Sequence, residues 1–537
     1  MPATNPAPFA TRGIIEGSYS VPYTHAQRTS MLTWMADHDL NTYIHAPKLD
    51  PYADNQWRTP YPAPAQADFA AEIGQANGLG ISWVPAVHPG TDLCFSCPAD
   101  RDVLAAKFQP FVTAGARTVM LGFDDLDTDS TTLPDRATYG TGPTARGTMT
   151  ADLLNALAAR FPGVRVLTVL GEFSGTSSSP FLDSIAQHLI PAVDVFWTGP
   201  STVSPTITLA QAQAIDAVLG RHVLVWDNFP VNDYSGWAGA ERRLNLGPFE
   251  GLDPHLAGAV KGVLANVQSP WATNKVPMAT LADYVADPTH YQPETSWRAA
   301  LAAEGGTDAA ALTTFAENSR SSPFDATESP VVGPLLEQVR IALVAGRRDA
   351  AAERRLRLEL AAEIDAAHTL RNGSDADFAS GAARFIDVFE QNARAATDAL
   401  DLAAASVPTV TLRTAAASGH DRLVAGHVTP ADVTATGAAL AALLPLDAAR
   451  RAAVATTHGD RPGGNEAVGP GNRIDLFVDA VLALPRPTAA AAPHVLLNGL
   501  PTGVDFTVTV ASGETLEVTA TDPCGSRAVT SFSWQAS

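Results

Sequence analysis

Thr118-Val119-Met120-Leu121-Gly122-Phe123-Asp124-Asp125-Leu126-Asp127 sets the reading of the first half of the chain. A short apolar run leads straight into two adjacent carboxylates. A run of this kind, without polar alternation, reads as a strand buried on both faces of a parallel sheet. The same pattern recurs on either side of it. Apolar runs at 13–17, 41–46, 81–87, 164–170, 193–197, 223–226 and 262–265 alternate with helix-like stretches at 25–39, 68–77, 103–113, 151–160, 181–190 and 209–219. Eight strands with helices between them, over about 250 residues, have the size and rhythm of an α/β (β/α)8 TIM barrel. The competing reading is a doubly wound open sheet. That fold usually carries a glycine-rich phosphate turn after its first strand, and Gly17-Ser18-Tyr19 is not one.

The rest of the chain changes character. Its 537 residues suggest two to four domains, and 46% hydrophobic with 17% charged residues is ordinary for a globular protein. The barrel is assigned to 1–300. Residues 301–484 turn to Ala, Leu, Glu and Arg at helical spacing and read as an α-helical bundle domain. A Pro/Ala linker follows at 485–493, and 494–537 alternates apolar and polar residues at 506–510, 516–520 and 529–534. Three strands are fewer than a sheet with one buried face needs, so this segment reads as the start of a β-sandwich-like module and the natural chain is expected to continue. A net charge of −21 argues against nucleic-acid partners, which need a basic face. No apolar run approaches the ~18 residues of a membrane span, and Met1–Gly13 has neither the basic start nor the apolar core of a signal peptide.

In a barrel of this type, chemistry comes from the C-terminal ends of the strands. Those ends supply Glu16-Gly17, Lys48, His88, Asp124-Asp125, Glu172-Phe173, Trp197, Trp226 with Asn228, and Asn266. Carboxylates and amides bind hydroxyls and indole faces cover C–H surfaces, so the collection suits a sugar. With no histidine cluster, neither a metal nor another cofactor is expected. Two adjacent carboxylates repel, which raises the proton affinity of at least one and suits a general acid. Two bland alternatives stand beside this, a solvated acidic loop and a calcium loop. The second would want glycine and glutamate where Ser130 and Arg136 stand. Glu172, also at a strand end, remains open as a protein nucleophile. Cys94 and Cys97 have the spacing of half a zinc site or a redox pair, but the only other cysteine is Cys524, so they read as an incidental pair, disulfide-bonded outside the cell. His25 and His88 show no partner in the sequence and read as packed histidines.

The stretches RGIIEGSYSVPYTHAQR (12–28), NTYIHAPKLDPY (41–52), FDDLD (123–127), WTGP (197–200), WDNFPVNDY (226–234) and LGPF (246–249), in this order, resemble glycoside hydrolase family 84, whose members are β-N-acetylglucosaminidases, including the O-GlcNAcases. The resemblance implies a retaining exo-enzyme that uses the substrate's acetamide as nucleophile through an oxazoline intermediate. Asp124 would then orient the acetamide N–H. Asp125 would protonate the departing oxygen and later activate water. Gly17, Lys48, Asp233 and Asn266 would contact the sugar, while Asn228 and Trp226 would support and wall the acetamide pocket. The family usually has a tyrosine where Phe173 stands, so the pocket departs from the pattern there. The implied partner is a β-GlcNAc-bearing glycan or glycoprotein. The alternative is a weakly active or inactive barrel that binds GlcNAc glycans. The tail around Ala520–Gly525 resembles modules appended to secreted bacterial enzymes, which leans the localisation toward secretion, with a cytoplasmic protein as the alternative.

Overall fold

The computed structural model describes residues 8–124, 132–233, 244–320, 329–345, 347–405, 477, 480–481, 505–511, 515–521 and 527–533. Eight parallel strands close into a barrel in chain order: β1 (Thr11–Glu16), β2 (Thr42–His45), β3 (Ser82–Val87), β4 (Thr118–Gly122), β5 (Arg165–Val169), β6 (Val193–Trp197), β7 (Val223–Asp227) and β8 (Val260–Asn266). The ring closes where β1 pairs with β8, Ile14 opposite Ala265 and Ile15 opposite Asn266. Side-chain alternation divides each strand between two cores. Ile15, Ile44, Val84, Met120, Leu167, Phe196, Leu224 and Leu264, one from each strand, fill the interior with Trp226 among them. Their neighbours Ile14, Tyr43, Trp83, Val119, Val166, Val195, Val225 and Val263 face outward and pack under the helices.

Around the barrel run α1 (His25–Asp37), α2 (Ala63–Gly78), α3 (Pro98–Ala114), α4 (Leu133–Tyr139), α5 (Pro143–Arg160), α6 (Pro180–His188), α7 (Leu209–Leu219), α8 (Lys275–Ala286), α9 (Pro293–Gly305) and α10 (Ala309–Glu317). Three of these begin five to eight residues before the apolar periodicity suggests, at 63, 98 and 143 instead of 68, 103 and 151. The reason is proline. Its fixed φ and missing N–H suit the first helical turn, and α2, α3, α4, α5, α6 and α9 all carry one there. The helices therefore start at polar, proline-bearing turns before their buried faces begin.

The described residues fall into two compact units. One holds those up to Ser329 together with Ala366–Ile386, and the other holds Pro330–Asp365 and those from Asp387 onward. After the barrel come α11 (Val332–Val344), α12 (Ala350–Arg371), α13 (Ala376–Gly381) and α14 (Ala383–Ala405). The second unit has its own apolar core, built from Leu336, Val339, Leu356, Leu360, Ala396, Leu400 and Phe477 among others. At the C-terminal end, β9 (Asp505–Ala511), β10 (Thr515–Thr521) and β11 (Arg527–Ser533) form one antiparallel sheet in the order β11-β10-β9. The expected linker at 485–493 and nearly all of the helical reading over 406–484 lie outside the described residues.

Candidate active site

At the C-terminal mouth, a directed chain of hydrogen bonds ties three strands together. The Gly17 N–H, just past β1, donates to Asn266 Oδ1 at 3.1 Å, the last residue of β8. Asn266 Nδ2 donates to Asn228 Oδ1 at 3.0 Å, which also accepts from Trp226 Nε1 at 3.0 Å. Asn228 Nδ2 passes the chain on to the Thr202 carbonyl at 2.7 Å. Each amide has its oxygen and nitrogen placed by its neighbour, so both orientations follow from the network. Gly17 has no room to be anything else, since a Cβ there would lie 2.8 Å from Trp226 and 3.0 Å from Asn266 Oδ1. Asp233 Oδ2 accepts from the Tyr19 N–H at 2.6 Å, which fastens the loop after β7 to the loop after β1.

Asp124 follows β4 and is 9% exposed. Its two oxygens face different partners. Lys48, from the loop after β2, donates to Oδ2, and His88 Nδ1, the first residue after β3, lies 3.0 Å from Oδ1. The Lys48 ammonium is itself 3.3 Å from His88 Nδ1 and sits 6.0 Å above the Tyr19 ring. Burial alone would push the Asp124 carboxyl up. The Lys48 charge, with the hydrogen bonds from Lys48 and His88, outweighs it and holds the group well below the usual carboxylate range. Asp124 is therefore an acceptor at neutral pH and has no proton to give. Asp125, the other half of the acidic pair, lies outside the described residues.

Phe173 stands in the loop after β5 and packs against the interior core that includes Trp226. Its carbonyl accepts from the Thr198 N–H at 3.0 Å. Glu172 is engaged at the start of α6. Ser179 Oγ, the cap of that helix, donates to its Oε2 at 2.5 Å, and Arg146 lies 3.9 Å from its Oε1. Trp197 is buried, with its indole N–H donated to the Gly175 carbonyl at 2.8 Å.

Residues 12–317 match the family described as beta-N-acetylglucosaminidase. The chain belongs to that family. The protein O-GlcNAcases of Rattus norvegicus and Mus musculus are each 30% identical over 278 residues, which is 51% of this chain and 29% of theirs. The chain thus covers less than a third of the length of these curated relatives. A point mutant of the O-GlcNAc hydrolase of Thermobaculum terrenum shares the fold with a TM-score of 0.75 and 26% identity, over 90% of this chain and 96% of that one. The structure of CpGH84B has a TM-score of 0.69 at 22% identity, over 88% and 77% of the two chains, and shows the fold alone. The motif resemblance to glycoside hydrolase family 84 agrees with these matches.

In this β-N-acetylglucosaminidase-family chain the expected residues Gly17, Lys48, Asp124, Phe173, Trp226, Asn228, Asp233 and Asn266 all lie on strand ends or the loops that leave the mouth. Hydrogen bonds tie Gly17, Trp226, Asn228 and Asn266 into one group, and Lys48 and Asp124 into another. The sequence reading places His88 at a strand end but takes it for a packed histidine without a partner. Its partner Asp124 is 36 residues away, so no local spacing announces the pair. His25 likewise has a partner, Glu72 on α2 at 2.8 Å, beside the buried Arg28–Glu72 ion pair outside the barrel. Cys94 and Cys97 form a disulfide.

Proposed function

We propose that this protein is a retaining exo-β-N-acetylglucosaminidase acting on β-linked GlcNAc of proteins or glycans, with the substrate's acetamide as the nucleophile. The observation that carries the proposal is the ionised Asp124 carboxylate, buried at the mouth and gripped from both sides. An anion in that setting accepts the acetamide N–H and strengthens as positive charge grows on the acetamide. The acetamide oxygen attacks C1 as the C1–O glycosidic bond breaks, giving an oxazoline that keeps its N–H proton, an oxazolinium paired with the Asp124 carboxylate until the ring opens. Asp125 gives its proton to the leaving oxygen, then takes one from the water that attacks C1 and opens the ring. Two inversions leave a β-configured GlcNAc. The names of the relatives, protein O-GlcNAcase and O-GlcNAc hydrolase, support a serine- or threonine-linked GlcNAc as the substrate.

The test is hydrolysis of aryl β-GlcNAc glycosides, with the anomer formed first followed by NMR. Asp124→Asn and Asp125→Asn should each cost about 10²–10⁴-fold. Asp125→Asn should harm poor leaving groups far more than activated ones, which need no proton. A covalent adduct trapped on Glu172 would overturn the acetamide mechanism. A second reading, a GlcNAc-binding barrel with little or no activity, rests on Phe173, which places a ring without a hydroxyl in the pocket. Binding of GlcNAc without cleavage of any β-GlcNAc or β-GalNAc glycoside would favour it.

A further inference from the structure

His88 is not among the residues given a role above, yet its surroundings are built for one. Its backbone N–H donates to the Ala53 carbonyl at 2.7 Å, which fixes the chain just past β3. Its side chain is 5% exposed. The ring lies close against the end of β4, where a Cβ on Gly122 would come within 2.4 Å of ring atoms Cε1 and Nδ1. Glycine two residues before Asp124 is thus what lets the imidazole reach the carboxylate. Nε2 is buried and has no hydrogen-bond partner among the described residues.

The protonation pattern follows from these contacts. Asp124 Oδ1 can only accept, so the proton between it and Nδ1 belongs to the imidazole. A ring whose Nδ1 donates cannot also accept from Lys48, and the ammonium is left to bond the carboxylate. An imidazolium would bury a second N–H at Nε2 with no acceptor among the described residues. Neutral His88 with its proton on Nδ1 fits the site, and Lys48 is the cation beside it. Among the described residues Asp54 is a further carboxylate within reach of the Lys48 charge.

We infer that His88 is the positioning residue of Asp124. On the proposed reading, Lys48 also serves the sugar hydroxyls, so its grip on Asp124 loosens when substrate arrives. The His88 Nδ1–H is then the fixed donor that keeps the carboxylate turned toward the acetamide N–H through the bond-breaking step. The inference rests on that reading of Asp124, and it assigns His88 an effect on turnover more than on substrate affinity.

Three variants separate the possibilities. The side-chain amide of His88→Asn places an N–H near the Nδ1 position, whereas His88→Gln places one near Nε2, and His88→Leu has none. Using the full chain and an aryl β-GlcNAc glycoside, His88→Asn should keep kcat within about five-fold. His88→Gln and His88→Leu should lose roughly ten- to a hundred-fold in kcat with KM within about three-fold. Affinity for a thiazoline mimic of the GlcNAc oxazoline, read by calorimetry on the folded variants, should fall in the same order. Asp124→Asn is the control. If Asp124→Asn turns over like the parent, the acetamide reading itself fails. If Asp124→Asn is inactive while all three His88 variants match the parent in kcat and thiazoline affinity, that reading stands and the role of His88 is overturned. An equal loss for Asn and Leu at unchanged melting temperature also overturns it, because the donor would then be irrelevant.

Discussion

On the proposed acetamide mechanism, Phe173 is where a single atom bears on rate. A tyrosine in its place would put a hydroxyl beside the acetamide, and a hydrogen bond strengthened in the transition state raises turnover more than binding. A net bond of about 0.5–1.5 kcal/mol corresponds to a few-fold to roughly ten-fold gain. Phe173→Tyr is expected to raise kcat/KM on aryl β-GlcNAc by that factor. A fall would mean that the pocket is built around the ring, and a different N-acyl group becomes the substrate to test. Asp227, between Trp226 and Asn228, concerns stability instead. Burial pushes its carboxyl up to about 8, against a pull downward from the Phe229 backbone N–H. The folded chain keeps this proton to about pH 8, whereas the unfolded chain loses it near pH 4. The group's stabilisation is therefore complete below about pH 4 and drains away as pH rises toward 8. Asp227→Asn removes that slope, so its melting temperature relative to the parent should climb across the window in thermal melts. Asp124 has the opposite sign. Its depressed carboxyl contributes stability at neutral pH that is lost as pH falls through its folded pKa.

The strands were legible as elements because each is a buried apolar run, and their order around the barrel needed no further information than parallel, sequential pairing. The helix starts were less legible, since proline and capping polar residues, not apolar spacing, set them. The stretch between β3 and α4 shows what local reading misses. Cys94-Phe95-Ser96-Cys97 is wrapped around the fully buried carboxylate of Asp135 in α4, which accepts from Ser96 N–H at 2.7 Å, Ser96 Oγ at 2.7 Å, Phe95 N–H at 3.2 Å and Thr132 Oγ at 2.7 Å. The disulfide closes a loop of sequence separation 3 and so removes little chain entropy, while the carboxylate satisfies donors that are otherwise stranded. Asp135→Ala should cost about 3 kcal/mol, a fall on the order of 10 °C in melting temperature. Treatment with reductant should shift the same melt far less. A larger shift on reduction than in Asp135→Ala would make the disulfide the clamp.

For the whole molecule, all candidate site residues precede the helical region, and a hypothesis of modularity follows. A chain ending before His494 should keep its aryl-glycosidase activity within roughly two-fold, as a segment behind a Pro/Ala linker folds by itself. Loss of activity in that shortened chain would make the tail part of the catalytic fold. Barrel, order of strands and family were all written in the sequence, because buried parallel strands need apolar runs and because motifs at strand ends are local. The sequence also placed Gly17, Trp226, Asn228 and Asn266 at the mouth. That they form one hydrogen-bonded relay depended on barrel closure, which brings β1 and β8 together across 249 residues. The state of Asp124 was likewise decided in three dimensions. Two adjacent carboxylates suggest a raised proton affinity in at least one of them, and it is the fold that brings Lys48 and His88 from β2 and β3 to hold Asp124 ionised. A residue's charge depends on what the fold places within a few ångströms of it, and those neighbours lie 76 and 36 positions away along the chain.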